Sequence, residues 1–466
     1  MRLAIVPPLA FIAAIAPVLG CSSDEARASS DPEEFNILVV VLDALRADKL
    51  GCQGFERDTS PRIDALAQHP DAVVFSNHHS QGDYTKLSTA SLFTGLYAFQ
   101  HGVVYGHSKK KGSSWRDVQT QILAPEHRTM AERLGEHGFW NFGVVKSRHL
   151  VAEYGFDQGF DHYVSPADVS SDLARADAVL DAIDDADRRF FGYVHFSAVH
   201  HPYPADERDP DYMKQYGFAY DEVARKAAGV DFTTPKVKDA ILSGKLTLEP
   251  DDARFLNLAY EATLRYVDRE LLGTLVDGLK KRGLFDSTMI VLTSDHGEEL
   301  YDHEGYAHAH AVWEEVTHVP LIVKFPKGAR PEALPDRVTD ASQTIDLLPS
   351  LLTRLGAPPD DLPGQPIFDG ASSHFVFTES RLRWALLRKG WKLIHGKKGE
   401  QLYDLRSDPG EQHDVFAGNP ELVAEMNAFA RVVLASAPGK RIDAPVIATS
   451  LDEEAIQELK QLGYIK

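Results

Sequence analysis

The sequence predicts an α/β fold with a mostly parallel central sheet flanked by helices, followed by a small C-terminal antiparallel-sheet subdomain. Asn36-Ile37-Leu38-Val39-Val40-Val41-Leu42 is a near-continuous β-branched run, the pattern of a strand buried on both faces. Comparable runs are expected as strands at residues 139–145, 190–196, 289–293 and 321–325, with helical stretches between them at 129–137, 174–184 and 252–282. Strands alternating with helices build parallel sheets, and their sites lie beyond the carboxyl ends of the strands. Asp43, Lys146, His200, Asp295 and His296 all fall at or just past such ends. The segment 205–248 is rich in charge and turn residues with weak periodicity, and reads as an excursion that covers or shapes the entrance on that face. Past about Ser372 short strands are expected at 374–378, 384–387, 391–394 and 401–405, with a closing helix at 420–435 and a short tail helix over 452–466.

The N-terminus reads as a targeting segment. Arg2 precedes the apolar stretch Leu3 to Leu19, and Val18-Leu19-Gly20-Cys21 has the form of a lipobox. Residues 1–20 are then a lipoprotein signal peptide and 21–34 a polar, acidic tether. Residues 35–371 form the main domain and 372–466 the C-terminal subdomain. Cleavage before Cys21 would leave a lipid-modified cysteine and an exported bacterial lipoprotein anchored to a membrane, periplasmic or at the cell surface. A plain secretory signal is the other reading. Pro7, Pro8 and Pro17 argue against a spanning helix. Cys52 is the remaining cysteine, so no internal disulfide is expected, and it reads as a small buried hydrophobe. The net charge of -20 over 466 residues argues against nucleic acid and against a polybasic membrane patch. It does not forbid an anionic substrate, because a bound metal can dominate the local field. The chain does not reveal an oligomeric state.

Asp43 alone would read as a helix N-cap. Ser294-Asp295-His296-Gly297-Glu298 adds a carboxylate and an imidazole after a buried strand, a pair that suits a divalent cation. Thr85 alone would read as a loop residue or cap. The segment Ser88 to Thr94 looks helical and ends at Gly95, which puts Thr85 close to a helix N-terminus that favours an anionic oxygen nearby.

Taken together, these stretches resemble the sulfatase branch of the alkaline phosphatase superfamily over residues 36–466. The carriers are the Asp43–Gly51 stretch, Asp58-Thr59-Ser60-Pro61, the Thr85–Gly95 segment, His101-Gly102-Val103, the Tyr154–Asp161 stretch, Tyr266-Val267-Asp268, Ser294 to Glu298, Leu402-Tyr403-Asp404-Leu405 and Asp408-Pro409-Gly410-Glu411. The family signature runs Cys/Ser-x-Pro-x-Arg and then Ala-Ser-Leu-Leu-Thr-Gly. Here Thr85 stands for the Cys or Ser that sulfatases oxidise to formylglycine, Leu87 for Pro and Thr89 for Arg.

The resemblance implies a metal-dependent hydrolase or transferase of sulfate, phosphate or phosphonate esters, with Asp43, Asp295, His296 and Thr85 as metal ligands and Thr85 Oγ as nucleophile. Phosphorus esters are preferred, since an unmodified hydroxyl can attack phosphorus. His200 (in Val199-His200-His201-Pro202-Tyr203) would bind the substrate's equatorial oxygens, with His201 facing solvent. His308 would protonate the leaving oxygen. Lys146, His149, His303 and His310 are further substrate-binding candidates; the first pair is spaced one residue wider than the family's Lys-x-His and also fits ordinary surface. Lys86 could restore positive charge or be solvated. The residues beside Asp43 are Leu42 and Ala44, and His296 stands where Asn is common, so zinc or manganese is favoured over calcium. One ion is expected, because the carboxylate a second would need is not identifiable. The substrate would be a small-molecule, glycan or lipid ester. The alternative is a degenerate sulfatase that only binds sulfated or phosphorylated glycans at the cell surface.

Overall fold

The structure, a computed structural model, describes residues 35–461 apart from 109–116, 170, 198, 204–208, 218–221, 398 and 440. The lipobox, Cys21 and Gly463 lie outside the described residues.

An eight-stranded sheet forms the centre. Its strands in chain order are β1 (Asn36–Leu42), β2 (Ala72–Phe75), β3 (Trp140–Val145), β4 (His162–Val164), β5 (Phe190–Phe196), β6 (Thr288–Thr293), β7 (Leu321–Lys324) and β8 (Arg337–Val338). They lie side by side as β8-β2-β7-β6-β1-β5-β3-β4. β1 is central and parallel to both β5 and β6, with Val41 opposite His195 on one side and Thr293 on the other. Every residue of β1, β5 and β6 is buried, which is why these strands read as unbroken apolar runs.

β7 is the antiparallel member of this mostly parallel sheet. It runs antiparallel to both β6 and β2. No crossover helix separates it from β6. The intervening chain carries only short pairings (Glu299–Leu300 with Tyr306–Ala307) and the short helix Glu314–Thr317, so the chain turns back.

Helices cover both faces. Asp172–Asp185 and the long unit formed by Pro250–Val267, Asp268–Leu272 and Gly273–Lys281 pack on one side. Thr85–Thr94, Met130–Glu136 and Leu347–Arg354 pack on the other. The described residues of the excursion at 205–248 are more regular than its periodicity suggested. They hold helices Pro210–Gln215, Glu222–Ala227 and Pro235–Leu242, two of them opened by proline at the first helical turn.

The C-terminal subdomain is a four-stranded antiparallel meander, Val376–Ser380, Arg383–Arg388, Trp391–Gly396 and Gly399–Asp404, closed by helix Pro420–Ser436. Phe377, Leu386, Leu393, Leu402 and Met426 form its core. Among the described residues no helix is long and apolar enough to cross a membrane.

Candidate metal centre and active site

The carboxyl ends of β1, β5 and β6 converge on one buried cluster. Asp43 follows β1 directly, and its backbone N–H donates to Phe196 O (2.8 Å). The turn after it is forced, because Ala44 adopts φ 63°, a conformation costly for a residue with a Cβ. Three contacts hold that turn. Tyr260 OH donates to Ala44 O (2.9 Å), Leu45 N donates to Ser294 Oγ (3.0 Å), and Ser294 Oγ donates to Leu42 O (2.7 Å). The ends of β1 and β6 are thereby tied together, and Asp43 meets Asp295 although 252 residues separate them.

His296 Nδ1 donates to Gly297 O (2.8 Å), which leaves Nε2 as the lone-pair atom. That Nε2 is 3.4 Å from Asp43 Oδ1 and 3.7 Å from Asp295 Oδ2. From β5, His195 Nε2 lies 3.4 Å from Asp295 Oδ2 and 3.8 Å from Asp43 Oδ2. A tetrahedral site with bonds of about 2.1 Å spaces its ligand atoms roughly 3.4 Å apart. Asp43 Oδ1, His296 Nε2 and Thr85 Oγ1 are buried with no hydrogen-bond partner. Burial, then repulsion from Asp295 and Glu298, pushes the Asp43 carboxyl well above the ordinary range. A cation there would relieve that repulsion and satisfy the orphaned atoms, so these residues fit a divalent metal.

Thr85 is the first residue of a wholly buried helix, Thr85–Thr94, and its hydroxyl lies beside the Asp43 carboxylate. The helix ends at Gly95 with φ 67°.

A second group faces this cluster. His200, His201 and His308 offer ring nitrogens within 4.8 Å of one another. His308 stands 4.2 Å from His296 and 4.6 Å from His200, ring centre to ring centre. His200 Nδ1 donates to His201 O (2.6 Å), and burial followed by the His201 charge pushes His200 down to about 3. Glu298, fully buried, accepts from His308 Nδ1 (2.6 Å) and from His201 N (3.3 Å). It is the carboxylate the sequence did not single out. Its oxygens engage His308 and His201, which places it to orient those two rings.

The structure thus brings together Asp43, Thr85, Asp295, His296, His200 and His308. It adds His195 and Glu298, which sequence reasoning missed. A histidine closing a buried strand at 190–196 was the available signal for the first. Several other expectations change. His201 is buried against Glu298, not solvent-facing. His149 is buried too, with its ring 5.3 Å from His107. Lys146 sits half-buried directly after β3. His303 donates to Glu315 (2.7 Å) and stacks 4.1 Å from Trp313; against the effect of burial, Glu315 raises it to about 9. His310 Nε2 is 2.7 Å from Glu299. Both histidines are therefore engaged with carboxylates outside the Asp43–Asp295 cluster. Lys86 is fully buried, donates to Thr120 Oγ1 (2.7 Å) and lies 4.1 Å over the Tyr154 ring, so it is neither solvated nor a counter-charge at the cleft. Cys52 is half-buried and its thiol is pushed up to about 12 by burial, as an inert thiol would be.

Residues 35–357 match the sulfatase family. The chain is 24% identical to the uncharacterized sulfatase YidJ of Escherichia coli K12 over 82% of each chain. It is also 24% identical to an N-acetylgalactosamine-6-O-sulfatase of Bacteroides thetaiotaomicron, covering 90% of this chain and 97% of that one. Among solved structures it shares the fold of the phosphonate monoester hydrolase of Agrobacterium radiobacter (TM-score 0.63, 20% identity, 86% of this chain and 95% of that one). It shares that of a 2-O GAG sulfatase as well (TM-score 0.67, 18% identity, 87% and 92%).

Proposed function

The chain belongs to the sulfatase family and is an ester hydrolase, and from that premise we propose that it cleaves phosphate or phosphonate esters in preference to sulfate esters, with unmodified Thr85 as nucleophile. The observation that carries this is Thr85 Oγ1, buried without a partner beside Asp43 at the first turn of its helix. Asp43, Asp295, His296 and Thr85 would hold one divalent metal, and His195 offers a further donor. Two carboxylates with two imidazoles suit zinc or manganese better than calcium. When bound, such a cation supplies Lewis acidity that favours ionised hydroxyl and neutralises charge on the ester.

Thr85 Oγ attacks the phosphorus. The new Oγ–P bond forms as the bond to the alcohol oxygen breaks, and water later hydrolyses the phosphothreonine. The free N–H groups at the start of helix Thr85–Thr94 favour the developing negative charge. His200, its Nδ1 tied to its neighbour's carbonyl, presents Nε2 to the transferred group. His308 delivers a proton to the leaving oxygen, and Glu298 on Nδ1 stabilises the imidazolium that this requires. The phosphonate monoester hydrolase neighbour supports attack at phosphorus on this fold. The intact donor set favours an enzyme over a binding protein.

Mass spectrometry should find residue 85 as plain threonine. Thr85→Ala should lose about 10³-fold or more in kcat with the fold intact, and Thr85→Ser should keep partial activity, because only a methyl is removed. A Thr85→Ala enzyme as fast as wild type would mean that water attacks directly.

A further inference from the structure

Beyond the Asp43–Asp295 cluster, the chain gathers a second set of side chains of the metal-binding type. Glu299, His303 and Glu315 each bring one ligand atom within 4.8 Å of the other two. Both carboxylates are buried and His303 is half-buried. Glu299–Leu300 pairs antiparallel with Tyr306–Ala307, and side chains alternate across such a ladder. Glu298 and His308 meet on one face of it, and Glu299 leaves by the other. Ala309, at φ 66°, turns the chain so that His310 Nε2 comes within 2.7 Å of Glu299 Oε2.

The outer hydrogen bonds fix which atoms face inward. Glu299 Oε1 accepts from His303 N (3.2 Å) and Gly305 N (2.7 Å), so Oε2 is the oxygen turned to the histidine. His303 Nε2 lies 3.1 Å from Glu411 O, and His310 Nδ1 lies 3.0 Å from His308 O. A carbonyl only accepts, so both of these nitrogens carry a proton (the Gln412 amide, at 3.3 Å, is a longer contact to His303 Nε2). The second nitrogen of each ring then faces a carboxylate oxygen at 2.7 Å, His303 Nδ1 that of Glu315 and His310 Nε2 that of Glu299. A positive charge has to lie between each nitrogen and its oxygen, either as a second proton on the ring or as a cation shared among them. Donation of the outer ring N–H to a backbone carbonyl is how metal-bound histidines are commonly oriented. Carboxylates and imidazoles together are a set that zinc takes. Ligand atoms around zinc sit roughly 3.4 Å apart, so each 2.7 Å pair opens by several tenths of an ångström when the ion replaces the proton. Trp313, stacked 4.1 Å from His303, fixes that ring, and a cavity of about 650 Å³ bordered by Glu299, His303 and His310 gives an ion its way in.

We propose that Glu299, His303 and Glu315 bind a second divalent cation, zinc in preference to calcium, with His310 closing the fourth position. The site is structural. It braces the back of the ladder that carries Glu298 and His308, and through the Glu411 carbonyl it ties that ladder to the C-terminal subdomain. It goes beyond the ester-hydrolase reading and stands whichever ester the protein cleaves.

The test is elemental analysis of the full-length protein after loading with zinc and dialysis. Wild type should retain two zinc ions per chain. Asp295→Ala, which removes a ligand of the first site, should retain one, and Asp295→Ala combined with Glu315→Gln should retain none. Glu315→Gln keeps the shape of the side chain but should weaken zinc binding here by about 100-fold or more. Zinc should raise the melting temperature of Asp295→Ala by a few degrees and leave that of the double variant unmoved. If Asp295→Ala folds poorly, Glu315→Gln and His303→Gln in the otherwise wild-type chain decide the matter, since each should retain one ion fewer than wild type. A single zinc ion that Asp295→Ala removes, or wild-type zinc content in both the Glu315→Gln and His303→Gln variants, would overturn the proposal and leave these contacts as ion pairs. One zinc ion kept by Asp295→Ala and lost by Glu315→Gln would sink the first site and leave this one standing.

Discussion

At the scale of single residues, Glu298 holds two of the histidines that face the Asp43–Asp295 cluster. One of its oxygens fixes His308, the other meets His201, and its own carbonyl accepts from Arg46 Nη1 (3.1 Å). Arg46 in turn is paired with Asp48 and Asp302 (2.8 and 2.7 Å), so its charge is spent on structure rather than substrate. If Glu298 acts by stabilising protonated His308, the loss on removing it depends on how much the leaving group needs a proton. Glu298→Gln keeps the shape and an acceptor oxygen but removes the charge. It should slow alkyl ester cleavage by about 100-fold while leaving nitrophenyl esters, whose leaving group needs little help, within severalfold of wild type. Equal losses for both substrates would show that Glu298 only holds the backbone.

At the scale of elements, the strands that carry ligands were the most legible part of the chain. Buried parallel strands advertise themselves as β-branched runs, and β1, β5 and β6 lie within a residue or so of where those runs placed them. The reversed β7 was not legible, because an antiparallel strand buried in the same sheet has the same composition as its parallel neighbours. Asp43, Thr85, Asp295, His296, His200 and His308 were readable through the resemblance to the sulfatase signature, whereas Asp43 or Thr85 alone reads as a cap. Glu298 was not, because its meaning comes from a hydrogen bond across ten residues. The turn after β6 shows how little freedom these elements leave. A Cβ on Gly297 would stand 2.0 Å from the backbone carbonyl oxygen of Glu315, while Gly297 N donates to Val316 O (2.7 Å). The backbone of Asp295 and His296 would have to shift. Gly297→Ala should therefore cost on the order of 1–3 kcal/mol in stability and reduce bound metal measured by elemental analysis, although no ligand has been altered. Full metal content with wild-type melting would show that this turn has room to give.

At the scale of the whole molecule, the C-terminal subdomain is part of the site's support. Gln81, four residues before Thr85, donates to Phe377 O (3.1 Å) and to Gln343 Oε1 (2.9 Å), and Glu379 accepts from Phe99 N (2.9 Å). Lys392 reaches Glu314 (2.8 Å) across the same boundary and Glu411 (3.0 Å) within the subdomain. The chain then returns once more, where Val446–Ser450 pairs antiparallel with Asp117–Gln121. At the other end, the described body begins at Phe35, already buried, and β1 starts at the next residue in the middle of the sheet. The polar, acidic composition of residues 22–34 suits the tether that we propose leads to that point. A single acyl chain gives only marginal membrane binding, whereas several chains on one residue give stable anchoring. Cys21, within Val18-Leu19-Gly20-Cys21, is the residue we propose carries that anchor. Wild-type protein expressed in a bacterial host should fractionate with membranes and show a lipid mass on an N-terminal Cys21. Cys21→Ala should lose that mass and leave the membrane fraction, with ester turnover per molecule unchanged, because the anchor and the site lie in separate parts of the chain. Unaltered fractionation of Cys21→Ala, with no lipid mass on the wild type, would remove the anchor and leave a plain secretory signal as the reading of residues 1–20.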